Sequence, residues 1–182
     1  MNETIKTIYS RRAVRKYKDK AVDKEIVDQI IDAGRNAPSA MNRQLWKFFV
    51  VSDKEMIKAI SLDIEKLAVK DYPHLTKRKE EKGLDDVLFY GAPVVVFIAM
   101  PKDYRWAGMD VGMCVQNMML ASKSLGLDTC PIGLARFINE TDNLEKLGVD
   151  PTDKIEIAIA IGYGDEVPGD KEIKKENVFY MS

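Results

Sequence analysis

Residues Val94-Val95-Val96-Phe97-Ile98-Ala99 form a continuous, mostly β-branched apolar run, and no other feature narrows the choice of fold as much. β-Branched and aromatic side chains stand well on a pleated surface. A strand with no polar alternation has no face to offer water, so this one is read as buried, with protein on both sides. The surrounding apolar stretch, Ala92 to Met100, contains Pro93 and is too short to span a bilayer. A second segment, Ile155 to Ile161, alternates strictly through Ile155, Ile157, Ile159 and Ile161, the period of another strand.

The remaining segments supply layers for a sheet. A helix is predicted over Thr4 to Ser10, capped by Asn2, with Ile5, Ile8 and Tyr9 on one face. Asp23 caps a second helix carrying Ile26, Val27, Ile30, Ile31 and Gly34, which stops at Asn36-Ala37-Pro38-Ser39 because proline disfavours helical geometry before it. Trp46 to Val51 reads as a strand, and Ser52-Asp53-Lys54-Glu55 as a capping box opening a helix with Met56, Ile57, Ile60 and Ile64. A long helix over Gly108 to Leu125 has the stripe Val111, Cys114, Val115, Met118, Met119, Ser122 and Leu125, with Gly126 at its C′ position. Leu127 to Cys130 is a short strand and Asn143 to Leu147 a short helix. The span Lys66 to Gly83 is the most polar and the least determined.

Helices and strands interleave irregularly, which points to an α+β or mixed α/β layer around a small sheet and not to a regular βαβ array. With no repeat, linker or change of composition, residues 1–182 are expected to form a single domain. In the tail, 165–182, a charged run precedes Val178-Phe179-Tyr180-Met181; such an end is either disordered or donated to a partner subunit.

Composition removes several classes of function. Apolar residues make up 46% and charged residues 31%, enough for a core and a solvated surface. A net charge of −1 removes the bulk electrostatic attraction that drives nucleic-acid binding, so no nucleic-acid partner is expected. No membrane segment is expected either. Met1-Asn2-Glu3-Thr4 carries no basic-then-apolar signal pattern, and a cytoplasmic location follows as the default. Cys114 and Cys130 have no metal-ligand or disulfide spacing and are expected in the core. His74 is the single histidine, which leaves no histidine-based triad or zinc site and no expected metal.

Three segments can carry chemistry. Arg11, Arg12 and Arg15 follow a helix, and guanidinium forks suit a phosphate; equally, they can form a solvated charged surface. Pro38-Ser39-Ala40-Met41-Asn42-Arg43-Gln44-Leu45-Trp46 offers hydroxyl and amide groups that can lie along a heterocycle, or it is a plain helix-to-strand connection. Thr129-Cys130-Pro131-Ile132-Gly133 ends a strand, with proline holding a loop and Gly133 open to close ligand approach, or it is an ordinary breaker pair. Gly162-Tyr163-Gly164 lacks the continuation of a dinucleotide fingerprint. With no side-chain catalytic set in view, chemistry is more easily supplied by a cofactor.

In this order the three segments resemble the nitroreductase family of FMN enzymes, nearly from end to end. The resemblance rests on Ser10-Arg11-Arg12-Ala13-Val14-Arg15-Lys16-Tyr17, on Ala37 to Phe48, on Asp110-Val111-Gly112 through Asn117 to Gly126-Leu127, and on Pro131-Ile132-Gly133. It implies an α+β fold with a central, mostly antiparallel sheet flanked by helices, and an intertwined homodimer with FMN at the subunit interface. It implies that Arg11, Arg12, Ala13 and Arg15 hold the phosphate, ribityl chain and pyrimidine edge, and that Pro38, Ser39, Ala40, Met41 and Asn42 reach the flavin from the second subunit. Pro131, Ile132 and Gly133 then match the segment on the other face of the ring, and Lys171 or Lys174 supplies a phosphate contact from the tail. Residues 66–88 are expected to build the pocket lid. Ala13 and Leu45 depart from the family pattern, so any contact at Ala13 falls to its backbone N–H. The activity implied is hydride transfer from NADH or NADPH through FMN to a small-molecule electron acceptor, such as a nitroaromatic, a quinone or an activated alkene, with no side chain as catalytic residue. The alternative is a flavin- or nucleotide-binding module without general reductase activity.

Overall fold

The computed structural model describes residues 1–82, 85–174 and 176–181. Among them, β1 (Lys47–Val51), β2 (Val94–Pro101), β3 (Asp128–Ile132) and β4 (Asp153–Gly162) form one sheet in the order β1-β2-β4-β3. Every neighbouring pair is antiparallel, with Val96 opposite both Val50 and Ile159. Helices α1 (Glu3–Ser10), α2 (Lys24–Arg35), α3 (Lys54–Ala68), α4 (His74–Lys82), α5 (Ala107–Ser124) and α6 (Asn143–Lys146) flank it. The expected α+β class with a central antiparallel sheet is the observed one.

The apolar run of β2 is covered on both faces, as its composition requires. Val95, Phe97 and Ala99 point to a layer with Ile57, Ile60 and Ile64 of α3, while Val94, Val96, Ile98 and Met100 point to α2 and α5. Burying such a side chain is worth roughly 1.5–3 kcal/mol, so β2 anchors both layers at once. On the second face Gly34 lets α2 and α5 approach: a Cβ there would lie 2.7 Å from Met118 Cγ. α5 ends as expected at Gly126, whose φ of +79° turns the chain toward β3. Cys114 and Cys130 are free and buried, and burial pushes the Cys114 thiol up to about 12.

Several local expectations are corrected. Asp53, not Ser52, caps α3, its Oδ1 accepting the Met56 N–H at 2.7 Å. Leu125 is 38% exposed and leaves the α5 stripe. Pro131 lies inside β3, opposite Ile159, instead of shaping a loop after it. An edge strand tolerates a proline because its outer N–H positions need no ladder partner. Gly162 is explained by packing: a Cβ there would sit 2.6 Å from Pro93 Cδ.

The isoleucine alternation of β4 also breaks. Ile98 pairs with Ile157 but Ala99 pairs with Ile155, leaving Glu156 as an extra residue. This bulge turns Ile155 to the α3 face while Ile157, Ile159 and Ile161 face α2 and α5. Asn139 bonds both backbone groups of Ile155, accepting its N–H at 2.8 Å and donating to its carbonyl at 2.9 Å. The bulge is thereby satisfied by a side chain from a 3-10 helix, Gly133–Glu140.

Candidate active site

The arginine cluster begins where α1 ends. Arg11 is the C-cap residue, with its N–H bonded to the Thr7 carbonyl, and its guanidinium Nε is buried with no hydrogen-bond partner. An unpaired buried donor of this kind costs about 1–3 kcal/mol. Arg12 directs Nη1 to the carbonyls of Tyr9, at 2.6 Å, and of Arg11, at 3.0 Å. Arg11 and Arg12 share a cavity of about 280 Å³ with Ile8, Tyr9, Lys171 and Ile173. Lys171 of the two tail lysines is therefore brought to the arginines; Lys174 is exposed and lies outside this cavity.

The extended stretch after α1 is tied to the outer edge of the sheet. Ala13 bridges Thr129, and the Val14 N–H donates to the Thr129 carbonyl at 3.0 Å. Tyr17 adds bonds from its hydroxyl to the Val14 and Ala160 carbonyls. Arg15 is held between them, its N–H donating to Glu166 and its guanidinium bonded to the Tyr90 side chain. A smaller cavity, about 140 Å³, collects Arg15 and Tyr90 with Cys130, Pro131, Ile132, Gly133 and Leu134. His74, Leu75 and Leu88 border the same cavity, so part of the predicted lid does flank it; Gly83 and Leu84 of that span lie outside the described residues.

Tyr90 was not anticipated from sequence. It has a φ of +60°, unusual for a bulky residue, and sits in a turn organised by buried Asp86. Asp86 accepts the N–H groups of Leu88 at 3.1 Å, Phe89 at 2.8 Å and Gly91 at 3.1 Å, as well as the Ser61 hydroxyl. The aspartate stabilises the turn that presents Tyr90 to Arg15.

The second segment lies elsewhere in the fold. Pro38 to Asn42 leads through Leu45 and Trp46 into β1, and Ala37 and Trp46 belong to the α2–α5 layer. β1 and β3 are opposite edges of the sheet, three strand spacings or roughly 14 Å apart. Within one chain, Arg15 and Pro131–Gly133 meet at one cavity, and Pro38–Asn42 does not join them. The segment makes a single 3-10 turn, Ala40–Asn42, with positive φ at Met41 (54°), Asn42 (52°) and Gln44 (50°). Each such residue costs roughly 1 kcal/mol or more unless its surroundings hold it. Ser39 Oγ accepts the Gln44 N–H at 3.0 Å, and Gln44 Nε2 donates to Asn42 Oδ1 at 2.7 Å. Met41 is 75% exposed.

The residues at the β3 edge fit a flavin phosphate and ring. Arg11 Nε supplies a buried donor with nothing to bond, and a Cβ at Gly133 would meet nothing within 4 Å, so the chain's own packing does not require glycine there. Among the described residues, no group of three or more His, Cys, Asp and Glu side chains can hold a metal. None of the helices among these residues is long and apolar enough to cross a membrane.

The family model described as the nitroreductase family matches residues 8–163. A 4-nitrobenzoate reductase of Pseudomonas putida is 28% identical, with 87% of this chain and 84% of that protein covered. A crystal structure of a nitroreductase with bound FMN from Bacteroides fragilis superposes with a TM-score of 0.88 at 28% identity, covering 100% of both chains. An FMN-bound nitroreductase from Desulfitobacterium hafniense gives a TM-score of 0.88 at 26% identity, again over 100% of both chains. The chain belongs to the nitroreductase family.

Proposed function

We propose that this chain is an FMN-dependent oxidoreductase that moves reducing equivalents from NADH or NADPH to a small oxidised acceptor, drawn from nitroaromatics, quinones and activated alkenes. The observation that carries the reading is the buried, unpaired Nε of Arg11 beside Arg12 and Lys171. These three cations hold the phosphate of FMN. Arg15 faces the pyrimidine edge, where a fixed positive charge stabilises the negative charge of the reduced ring. Pro131, Ile132 and Gly133 lie against one face, the side chain of Gly133 being absent so that the ring can approach the backbone. FMN, when bound, supplies the redox chemistry, accepting and releasing hydride in two separate half-reactions at one position. The protein orients the ring, excludes water and tunes its potential.

The active site is completed by a second copy of the chain, which contributes Pro38, Ser39, Ala40, Met41 and Asn42. Two features favour this homodimer. Ile5, Ile8 and Tyr9 on α1 are 37%, 40% and 64% exposed, and the apolar tail residues Val178, Phe179, Tyr180 and Met181 are 60–95% exposed. Apolar surface of this extent marks an interaction site. Residues 1–182 form one domain whose tail, 165–182, packs on the partner subunit; Lys175 and Ser182 lie outside the described residues. Two free, buried cysteines agree with a reducing, cytoplasmic setting.

The test is the visible spectrum of protein purified without added flavin, followed by sizing of the same sample and by NAD(P)H oxidation with menadione. A flavin band that co-elutes with a dimer, and turnover with the quinone, are expected. Colourless protein that takes up no FMN on titration overturns the reading. A coloured monomer removes the shared site alone, and a flavin-bound dimer inert toward NAD(P)H leaves a binding module.

A further inference from the structure

The segment assigned to the partner's flavin is shaped by a residue that the reaction itself does not use. Asp110 lies in the first turn of α5 and is 0% exposed. Its two oxygens serve different partners: Oδ1 accepts the Ala40 N–H at 3.1 Å, and Oδ2 accepts the Tyr104 hydroxyl at 2.8 Å. A buried carboxylate is costly unless its lone pairs are met, and an apolar residue would serve the helix better if packing were all that mattered. What the carboxylate does is anchor a backbone N–H at the start of the strained turn. The turn's internal bonds, from Gln44 to Ser39 and Asn42, close it on itself. The bond from Ala40 ties it to α5, and the Arg43 guanidinium lies 6.0 Å from the Tyr104 ring on the same side.

We infer that Asp110, oriented by Tyr104, is the positioning residue for the Ser39–Asn42 segment and holds its backbone in the shape the partner's flavin meets. The inference rests on the flavin reading above. Asp110 touches neither cofactor nor acceptor in this scheme and acts through Ala40. A segment with left-handed Met41, Asn42 and Gln44 has many lower-energy shapes available once it is released. Loss of the anchor is therefore expected to free the turn and to weaken flavin binding through it.

Three variants of the full-length protein test this. Asp110→Ala removes the acceptor. Asp110→Asn keeps an oxygen for the Ala40 N–H and offers its amide to Tyr104. Ala40→Pro removes the donor and leaves Asp110 in place: Ser39 is extended (φ −139°, ψ 155°), as a residue before proline must be. The first readout, on flavin-free protein, is the rate of tryptic cleavage after exposed Arg43; the second is FMN affinity by titration. Asp110→Ala and Ala40→Pro should each speed cleavage and weaken FMN about tenfold, while Asp110→Asn should stay within about threefold of the parent on both. Unchanged cleavage in a folded Ala40→Pro protein overturns the inference, as does an Asp110→Asn protein as impaired as Asp110→Ala. If Asp110→Ala fails to fold, Ala40→Pro decides, because it leaves the core untouched. If the parent takes up no FMN, the flavin reading falls, and the cleavage rates still decide whether Asp110 holds the turn.

Discussion

The two parts of the proposed active site acquire their shapes in opposite ways. At the β3 edge the site is made of regular structure: Arg11 caps a helix, Ala13 bridges Thr129, Pro131 and Ile132 are in a strand, and Gly133 opens a 3-10 helix. The Ser39–Gln44 turn has no regular frame, carries three left-handed residues, and depends on side-chain oxygens of Ser39, Asn42 and Asp110. The first part is rigid because the sheet is rigid. Of the groups proposed to meet the ligand there, Arg11 Nε is buried without a partner, while Arg12 and Arg15 are bonded within the chain. The second part is rigid only while its anchors hold.

If the division is right, removing charge at the β3 edge should abolish binding without disturbing the fold. Arg11→Ala combined with Arg15→Ala removes two charge-assisted contacts, each worth roughly 1.5–3 kcal/mol. Flavin affinity should fall by about 100-fold or more, with the far-ultraviolet dichroism unchanged. A double variant that purifies as yellow as its parent would show that neither arginine holds the cofactor. Tyr90 loses its Arg15 partner in this variant, so its turn reports whether the frame survives.

Two glycines separate packing from ligand approach. Gly34→Ala places a Cβ 2.7 Å from Met118 Cγ and 3.0 Å from Cys114 Sγ, so the α2–α5 contact must spread. Overpacking of this kind costs about 1–3 kcal/mol, measurable as a lower urea midpoint at unchanged slope. Gly133→Ala enters open space and should leave stability within about 0.5 kcal/mol. Its effect is expected on the ligand alone, as FMN affinity weakened about tenfold by a methyl group at the ring face. Equal FMN binding in Gly133→Ala and the parent would remove the 131–133 segment from the site.

Most of the sheet, and the residue types of the proposed β3 half, were legible in the sequence because residue type alone carries them. Val94–Ala99 is apolar throughout and can only be buried, and guanidinium groups after a helix suit a phosphate whatever the topology. What it missed depends on partners distant in the chain. Ile155 alternates correctly with Ile157 in sequence, yet a bulge at Glu156, stabilised by Asn139, sends it to the other face. Asp110 has no partner carboxylate at useful spacing in the sequence; one of its partners is the Ala40 N–H, far away in the chain. Tyr90 and Asp86 fall beside the polar stretch after α3, where no periodicity marks a turn. Proline in β3 is legible only once β3 is known to be an edge.

The smallest effect is expected at Thr129, and it sharpens the comparison most finely. Among the described residues two buried side-chain atoms lack hydrogen-bond partners, Arg11 Nε and Thr129 Oγ1. They lie close in the fold, since Thr129 bridges Ala13, yet they differ in what surrounds them. Arg11 lines a cavity with Arg12 and Lys171, whereas Thr129 is 1% exposed and lines none of the cavities that hold the arginines. Cys130 and Ile132 pack toward α3, so strand alternation turns Thr129 to the opposite face, beneath α5. An unmet donor beside a cavity has room for a ligand to meet it, and an unmet hydroxyl facing a helix is only a cost. Thr129→Val should therefore stabilise the protein by up to about 1 kcal/mol, read from urea denaturation, and leave FMN affinity unchanged. A weaker affinity would mean that the hydroxyl bonds the cofactor or its water, and that the β3 half reaches one strand position deeper than its cavities show.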